Sequence, residues 1–200
     1  MKSLKESLFD GDLVSKNIKF TFAGLEINPM PVIYKHGKFQ SADSWDELSY
    51  KKVFGLKEGS TYFNWDQCHD VKIDKWRLPS QEEWEKIINR GLHEFIIVDG
   101  EDAILIYPDN YVKKVKSKRM TKKMQKEYIE QGCIFLPNVG YHSTNLNWYE
   151  TPGYSWTSTQ CESLGNMYAY LLGWYIYPPR MFVDIKGDKQ ETYSIIMLVK

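Results

Sequence analysis

Three groups of side chains in this 200-residue chain could do chemistry, and the first two stop short of a reaction. Cys68-His69 sets a thiol beside an imidazole. Sequence neighbours seldom face each other productively, and no third residue can be assigned to orient the pair. Cys68, Cys133 and Cys161 contain no CxxC pair, so their spacing is neither a zinc site nor a disulfide framework. At most one bridge could form, and three reduced, part-buried thiols are the simpler expectation. No phosphate-cradling loop, metal-binding His pair or Ser-centred elbow is present. The chain is therefore expected not to be an enzyme, and to carry no cofactor and no metal.

The third group suits recognition. Aromatic residues make up 15% of the chain, with 14 Tyr and 7 Trp, and they concentrate in a C-terminal third poor in charge before Arg180. Tyr and Trp combine large contact area, few rotors and a polar handle, which favours binding at low entropy cost. On a strand, alternation puts Tyr168 and Tyr170 on one face, with Ala169 and Leu171 on the other. Tyr175 and Tyr177 likewise share a face. The apolar residues are the natural inward set, so these four tyrosines and Arg180 are read as an exposed binding cluster. Asn145, Asn147, Trp148 and Tyr149 precede Pro152-Gly153 in a loop of contact-site composition. Trp156 is read instead as a buried anchor, with Ser158 and Thr159 bonding the backbone.

The elements that must position these residues are legible in part. Ser80 and Glu83 have capping-box spacing, Trp84, Ile87 and Ile88 make a buried stripe, and Gly91 supplies a left-handed stop. Ser44 and Glu47 mark an earlier helix that Gly55 ends. A third helix is expected from about Thr121 to Gln131, with Met120, Met124 and Tyr128 on one side and Gly132 beyond it. Phe95-Ile96-Ile97-Val98 and Ala103-Ile104-Leu105-Ile106-Tyr107 flank Asp99-Gly100 as a β-hairpin. Strands are also expected over residues 18–34, 133–137, 167–172 and 193–199. The mixture defines an α+β chain of ordinary single-domain size, able to bury roughly 70% of its unfolded surface.

Charge sets limits on partners. Lys plus Arg and Asp plus Glu both number 26, so no net pull toward nucleic acid or an anionic membrane exists. The basic stretch 113–126 reads as a solvated helix face plus a charged loop; the alternative is contact with an acidic partner or nucleic acid, though no aromatics interleave with its lysines. No apolar run approaches the roughly 20 residues of a membrane span. The start, MKSLKESLFDGDL, has no apolar signal core, so the protein is expected to be cytoplasmic as made, or to join a phage particle assembled there. Residues 1–17 are read as an attachment segment, with Leu4 and Leu8 on one side of a short helix that either packs on its own domain or docks into a larger assembly. Residues 18–200 form the domain.

Several motifs then fall in a known order. WRLPSQEEWEKII, GCIFLPNVGYH, GYSWTSTQ, NMYAYLL and the terminal YSIIMLVK together resemble the Fibrobacter succinogenes major paralogous domain family. The match rests on Arg77-Leu78-Pro79, Phe135-Leu136-Pro137 with Gly140-Tyr141, and Gly153 to Thr159, and it covers about residues 60–200. The resemblance implies a C-type-lectin-like fold, with twisted antiparallel sheets flanked by two main helices. It also implies a relation to the variable proteins of diversity-generating retroelements, whose C-terminal region contacts ligand. The first 17 residues are similar to leaders of Bacteroides-type gut-phage proteins. Calcium-dependent sugar binding does not follow, since Tyr107-Pro108-Asp109-Asn110 and Asn64-Trp65-Asp66 lack the paired lectin signature. The implied function is adhesion or phage receptor binding, to a cell-surface protein or glycan, without nucleic acid or membrane insertion. The alternative is a structural virion component, a homo-oligomer that buries the same aromatic face between subunits.

Overall fold

The computed structural model describes residues 19–42, 53–111, 115, 117–138, 142–143, 153–176 and 179–200. Leu4 and Leu8, the helix expected from Ser44, the loop of Asn145, Asn147, Trp148 and Tyr149, and Tyr177 lie outside the described residues.

The chain is α+β, with more strand than helix. Strands β1 (Val32–Lys35) and β2 (Lys38–Ser41) form a hairpin whose turn residues His36 and Gly37 have φ of 53° and 73°. Two successive positive φ angles match the right-handed twist of the strands that the turn joins. A single turn, α1 (Trp65–Cys68), is held by a reciprocal Asn64–Gln67 capping box. Next come the short hairpin β3 (Lys72–Ile73) and β4 (Trp76–Arg77), and then α2 (Gln81–Asn89). Ser80 caps α2 as its sequence requires: its side chain accepts from Glu83 N, and Glu83 returns a bond to Ser80 N. Arg77 also grips Glu83 through both guanidinium nitrogens, fixing the start of the helix.

A four-stranded sheet follows, in the order β7-β5-β6-β8. β5 (His93–Val98) and β6 (Glu101–Ile106) meet at Asp99-Gly100, both with positive φ. β7 (Arg119–Met120) is a two-residue parallel edge, and β8 (Ile134–Pro137) closes the other side. Between them runs α3 (Lys122–Glu130), N-capped by Thr121, with Gly132 left-handed beyond it. Met120 ends β7 ahead of the helix and packs in one cluster with Met124 and Tyr128 of α3. β9 (His142–Ser143) pairs with β13 (Thr192–Tyr193). The second main sheet is β10 (Gly153–Cys161), β11 (Tyr168–Ile176) and β12 (Pro179–Asp188), antiparallel throughout. A 3-10 turn, Glu162–Met167, joins β10 to β11.

Both main sheets are buried on two faces, which explains their composition. Ile104 and Ile106 of β6 face a core with Trp84 and Ile87 of α2, while Ala103 and Leu105 face a smaller core under α3. Leu172 and Trp174 of β11 join the first of these cores, while Ala169 and Leu171 enter another with Trp65, Leu78 and Trp156. Each large apolar side chain taken from water contributes about 1.5–3 kcal/mol. The C-terminal segment runs between these cores, with Ser194 to Val199 fully buried. It is stitched by single bridges, Phe63 to Ser194, Ser155 to Ile195, and both Ile27 and Arg77 to Val199.

Three expectations about strands are corrected. Residues 19–31 form no continuous strand, because Phe22 to Leu25 closes a tight turn with Ala23 and Gly24 at positive φ. Asp109 stabilises that turn by accepting from both Ala23 N and Gly24 N. Met167 lies in the 3-10 turn, exposed, and the strand begins at Tyr168. The 193–199 segment is a ladder only at its start, since its neighbours are loops and strand ends that offer isolated bridges.

Candidate functional site

β11 decides where the tyrosines go. Against β10 the register shifts between Trp156 and Gln160, and against β12 it shifts between Phe182 and Ile185, opposite Leu171 and Gly173. The extra residues, two in β10 and one in β12, are all in the neighbours, so β11 itself alternates without interruption. Tyr168, Tyr170, Leu172 and Trp174 therefore share one face, and Ala169, Leu171, Gly173 and Tyr175 the other. The expected single cluster is divided: Tyr168 and Tyr170 stand apart from Tyr175. The reason is that β11 is buried on both faces at its middle and exposes a different face near each end.

Tyr168 and Tyr170 are both half-buried beside the 3-10 turn. A hydrogen bond involving the Cys161 thiol, with burial added, raises the Tyr170 hydroxyl above its usual range. Cys161 Sγ also lies 3.3 Å from Ser163 Oγ. These contacts tie Tyr170 to local structure.

Tyr175 belongs to a different construction. Gly173 precedes it by two residues on the same face, and a Cβ there would lie 2.8 Å from both the Phe182 and the Tyr154 rings. The missing side chain lets rings from the flanking strands close over β11. Tyr154 and Tyr175 then bring their hydroxyls to 3.5 Å. Tyr175 and Phe182 stack with centroids 5.2 Å apart and planes 23° apart. Arg180, paired across the strands with Tyr175, lays its guanidinium 4.9 Å from the Tyr175 centroid and 5.1 Å from that of Phe182. Arg180 is exposed and, among the described residues, makes no ion pair. Each exposed cation–π contact stabilises by about 0.5–1 kcal/mol, which favours this placement of the guanidinium beside the rings. A planar guanidinium presented this way matches a carboxylate in two-point geometry, and the ring edges beside it offer apolar contact.

Sequence reasoning singled out Tyr175 and Arg180 but missed Phe182, Tyr154 and Gly173. The signal for Phe182 was present, since Arg180 and Phe182 are two residues apart on a strand and must share a face. Trp156 is the buried anchor expected, donating from Nε1 to Phe63 O at 2.8 Å. Thr159 bonds the backbone as expected, its Oγ1 accepting from Gln81 N, while the second hydroxyl bonded to backbone is that of Thr157, which donates to Tyr170 O, and not that of Ser158.

A second concave surface lies at the first hairpin. A groove of about 670 Å³ is lined by Tyr34, Phe39, Leu56, Lys72 and Asp74 among others. Tyr34 and Phe39 meet edge to face, and Leu56 is 48% exposed.

The thiol and imidazole do not form a reactive pair. Cys68 is fully buried, and burial together with Asp70 and Asp66 pushes its thiol well above the usual range. His69 instead stacks on Trp65 at 4.3 Å, while Lys189 Nζ sits 4.3 Å from a Trp65 ring. All three cysteines are free and buried. Among the described residues, no group of three or more His, Cys, Asp or Glu side chains is placed to hold a metal. No helix among them is long and apolar enough to cross a membrane. Comparison of the chain with known protein families, with curated proteins and with solved structures returns no match.

Proposed function

We propose that this chain is a non-catalytic ligand-recognition domain of the adhesin or receptor-binding type, with the Arg180–Tyr175–Phe182 platform as its contact site. The observation that carries the reading is an exposed guanidinium in cation–π contact with two rings and free of any ion pair among the described residues. Such a group is oriented before a ligand arrives, so binding costs little ordering. Its chemistry selects a carboxylate next to an apolar face. Among cell-surface ligands, a carboxylated glycan offers both: a sugar ring to stack and an acid for the fork.

The C-type-lectin-like fold and membership of the Fibrobacter succinogenes major paralogous domain family belong to the same proposal. They are supported by the motif order in the sequence, by two main helices on sheets that are antiparallel apart from the β7 edge, and by the pairing of Glu26 with Lys200. Glu26 and Lys200 exchange backbone hydrogen bonds, and Lys200 Nζ lies 3.0 Å from Glu26. Display on a phage particle would present the platform to a cell surface.

The test is an array of carboxylated and neutral glycans, with surface proteins printed beside them, probed with the labelled full chain. Retention that requires the carboxylate supports the reading. Equal retention of acidic and carboxyl-reduced ligands, or none, contradicts it.

A further inference from the structure

The charge of this chain is balanced overall and sharply uneven along its length. Residues 113–126 hold eight Lys or Arg and no Asp or Glu, leaving 18 basic against 26 acidic residues elsewhere. The described part of this stretch forms the edge strand β7 and the first turns of α3. Lys118, Arg119, Lys123 and Lys126 are all exposed there and make no ion pair among the described residues.

Two features make this more than a solvated lysine run. The first turn of α3 contains no acidic residue and begins Lys122-Lys123, the wrong charge for a helix N-terminus. The contrast is α2, which places Glu82 and Glu83 at the same positions. Asp99 and the Thr121 cap offset this at the helix start, so the surplus positive charge lies on the exposed Lys118, Arg119, Lys123 and Lys126. The second feature is a hollow of about 460 Å³, lined by Ile97, Met120, Met124, Arg119 and Thr121 with the Asp99-Gly100 turn. Asp99, the acid at this spot, already accepts from Lys122 N. The site thus joins a flexible apolar floor to a cationic rim.

We propose that β7 and the first turns of α3 form a docking site for an acidic segment of a partner protein, with one apolar side chain of that segment seated between Ile97, Met120 and Met124. Charge complementarity selects the acidic segment, and a methionine-lined hollow adapts to an aliphatic or aromatic anchor. Nucleic acid fits less well, because no aromatic ring lines the hollow to stack a base. This site lies on the four-stranded sheet and does not depend on the Arg180 platform.

Fluorescence anisotropy on the full chain tests it with three labelled probes: a peptide of about ten residues alternating Glu with Leu, an all-Glu peptide, and an oligothymidylate of equal charge. The alternating peptide is expected to bind most tightly. Arg119→Glu with Lys123→Glu should weaken it by about tenfold or more and flatten its salt dependence. Met124→Ala should narrow the gap between the two peptides, in a variant whose thermal unfolding shows that it still folds. No binding of the alternating peptide, unchanged affinity in the charge-reversed variant, or tighter binding of the oligothymidylate would each overturn the proposal.

Discussion

Trp174 lies directly against Gly153 across the β10–β11 pair, so that a Cβ at position 153 would sit 2.2 Å from the indole ring. Trp174 is fully buried and leaves no room to retreat. Gly153→Ala must therefore shift either the ring or the strand. Overpacking of this kind costs about 1–3 kcal/mol. Urea unfolding should show a lower midpoint at an unchanged slope. An unaltered midpoint would mean that the ring has space that the structure does not show.

Asp109 should give stability a specific acid limb. Burial works to raise its pKa, but hydrogen bonds from Gly24 N, Ala23 N, Thr21 and Arg90 outweigh it and hold the carboxyl at about 2. Because the folded value is depressed, the contribution is complete above the ordinary value near 3.8 and is lost as pH falls toward 2. The side chain is 34% exposed, and screening reduces the linkage energy to about 1 kcal/mol. Asp109→Asn should be less stable than wild type by about that amount at pH 7, with the two curves converging near pH 2. A constant difference across this range would argue that the carboxylate charge is irrelevant.

Much of this scaffold is written in short-range patterns. The Ser80–Glu83 box, the Asp99-Gly100 turn and the Thr121 cap each depend on residues within a few positions of one another, and each forms as the sequence implies. The site was only half legible. Alternation correctly paired Tyr168 with Tyr170, but it cannot say which end of a doubly buried strand exposes which face. The break in residues 19–31 was hidden for a related reason, since Asp109 stabilises that turn from 85 residues away. Alternation does place Phe182 on the face of Arg180, but that this face meets Tyr175 is carried by cross-strand pairing and not by local sequence.

The thiols supply a test of the core itself. Burial raises Cys68 well above its usual range and Cys133 to about 12, and Cys161 is fully buried. Thiolate is the reacting form, so native protein at pH 7.5 should resist iodoacetamide at all three positions. Denatured protein should take up three adducts, counted by intact mass. Rapid labelling of any one thiol in the native state would show that its surroundings open.

Gly173 offers a way to disturb the platform without removing any of its side chains. A methyl there would push on Phe182 and Tyr154 at 2.8 Å. Gly173→Ala should lower ligand affinity several-fold, because the rings that carry Arg180 can no longer close over β11. Near-ultraviolet circular dichroism should change as Tyr154 and Tyr175 lose their packing. Full affinity in a folded variant would show that ring closure is not needed.

The most direct test of the account compares the two tyrosine faces on whichever carboxylated ligand the array retains. Titration calorimetry would set wild type beside Tyr175→Ala with Arg180→Ala, and beside Tyr168→Ala with Tyr170→Ala. The platform predicts a loss of about 2 kcal/mol or more for the first pair and little change for the second. Loss confined to the Tyr168–Tyr170 pair, or equal binding by all three proteins, would contradict it.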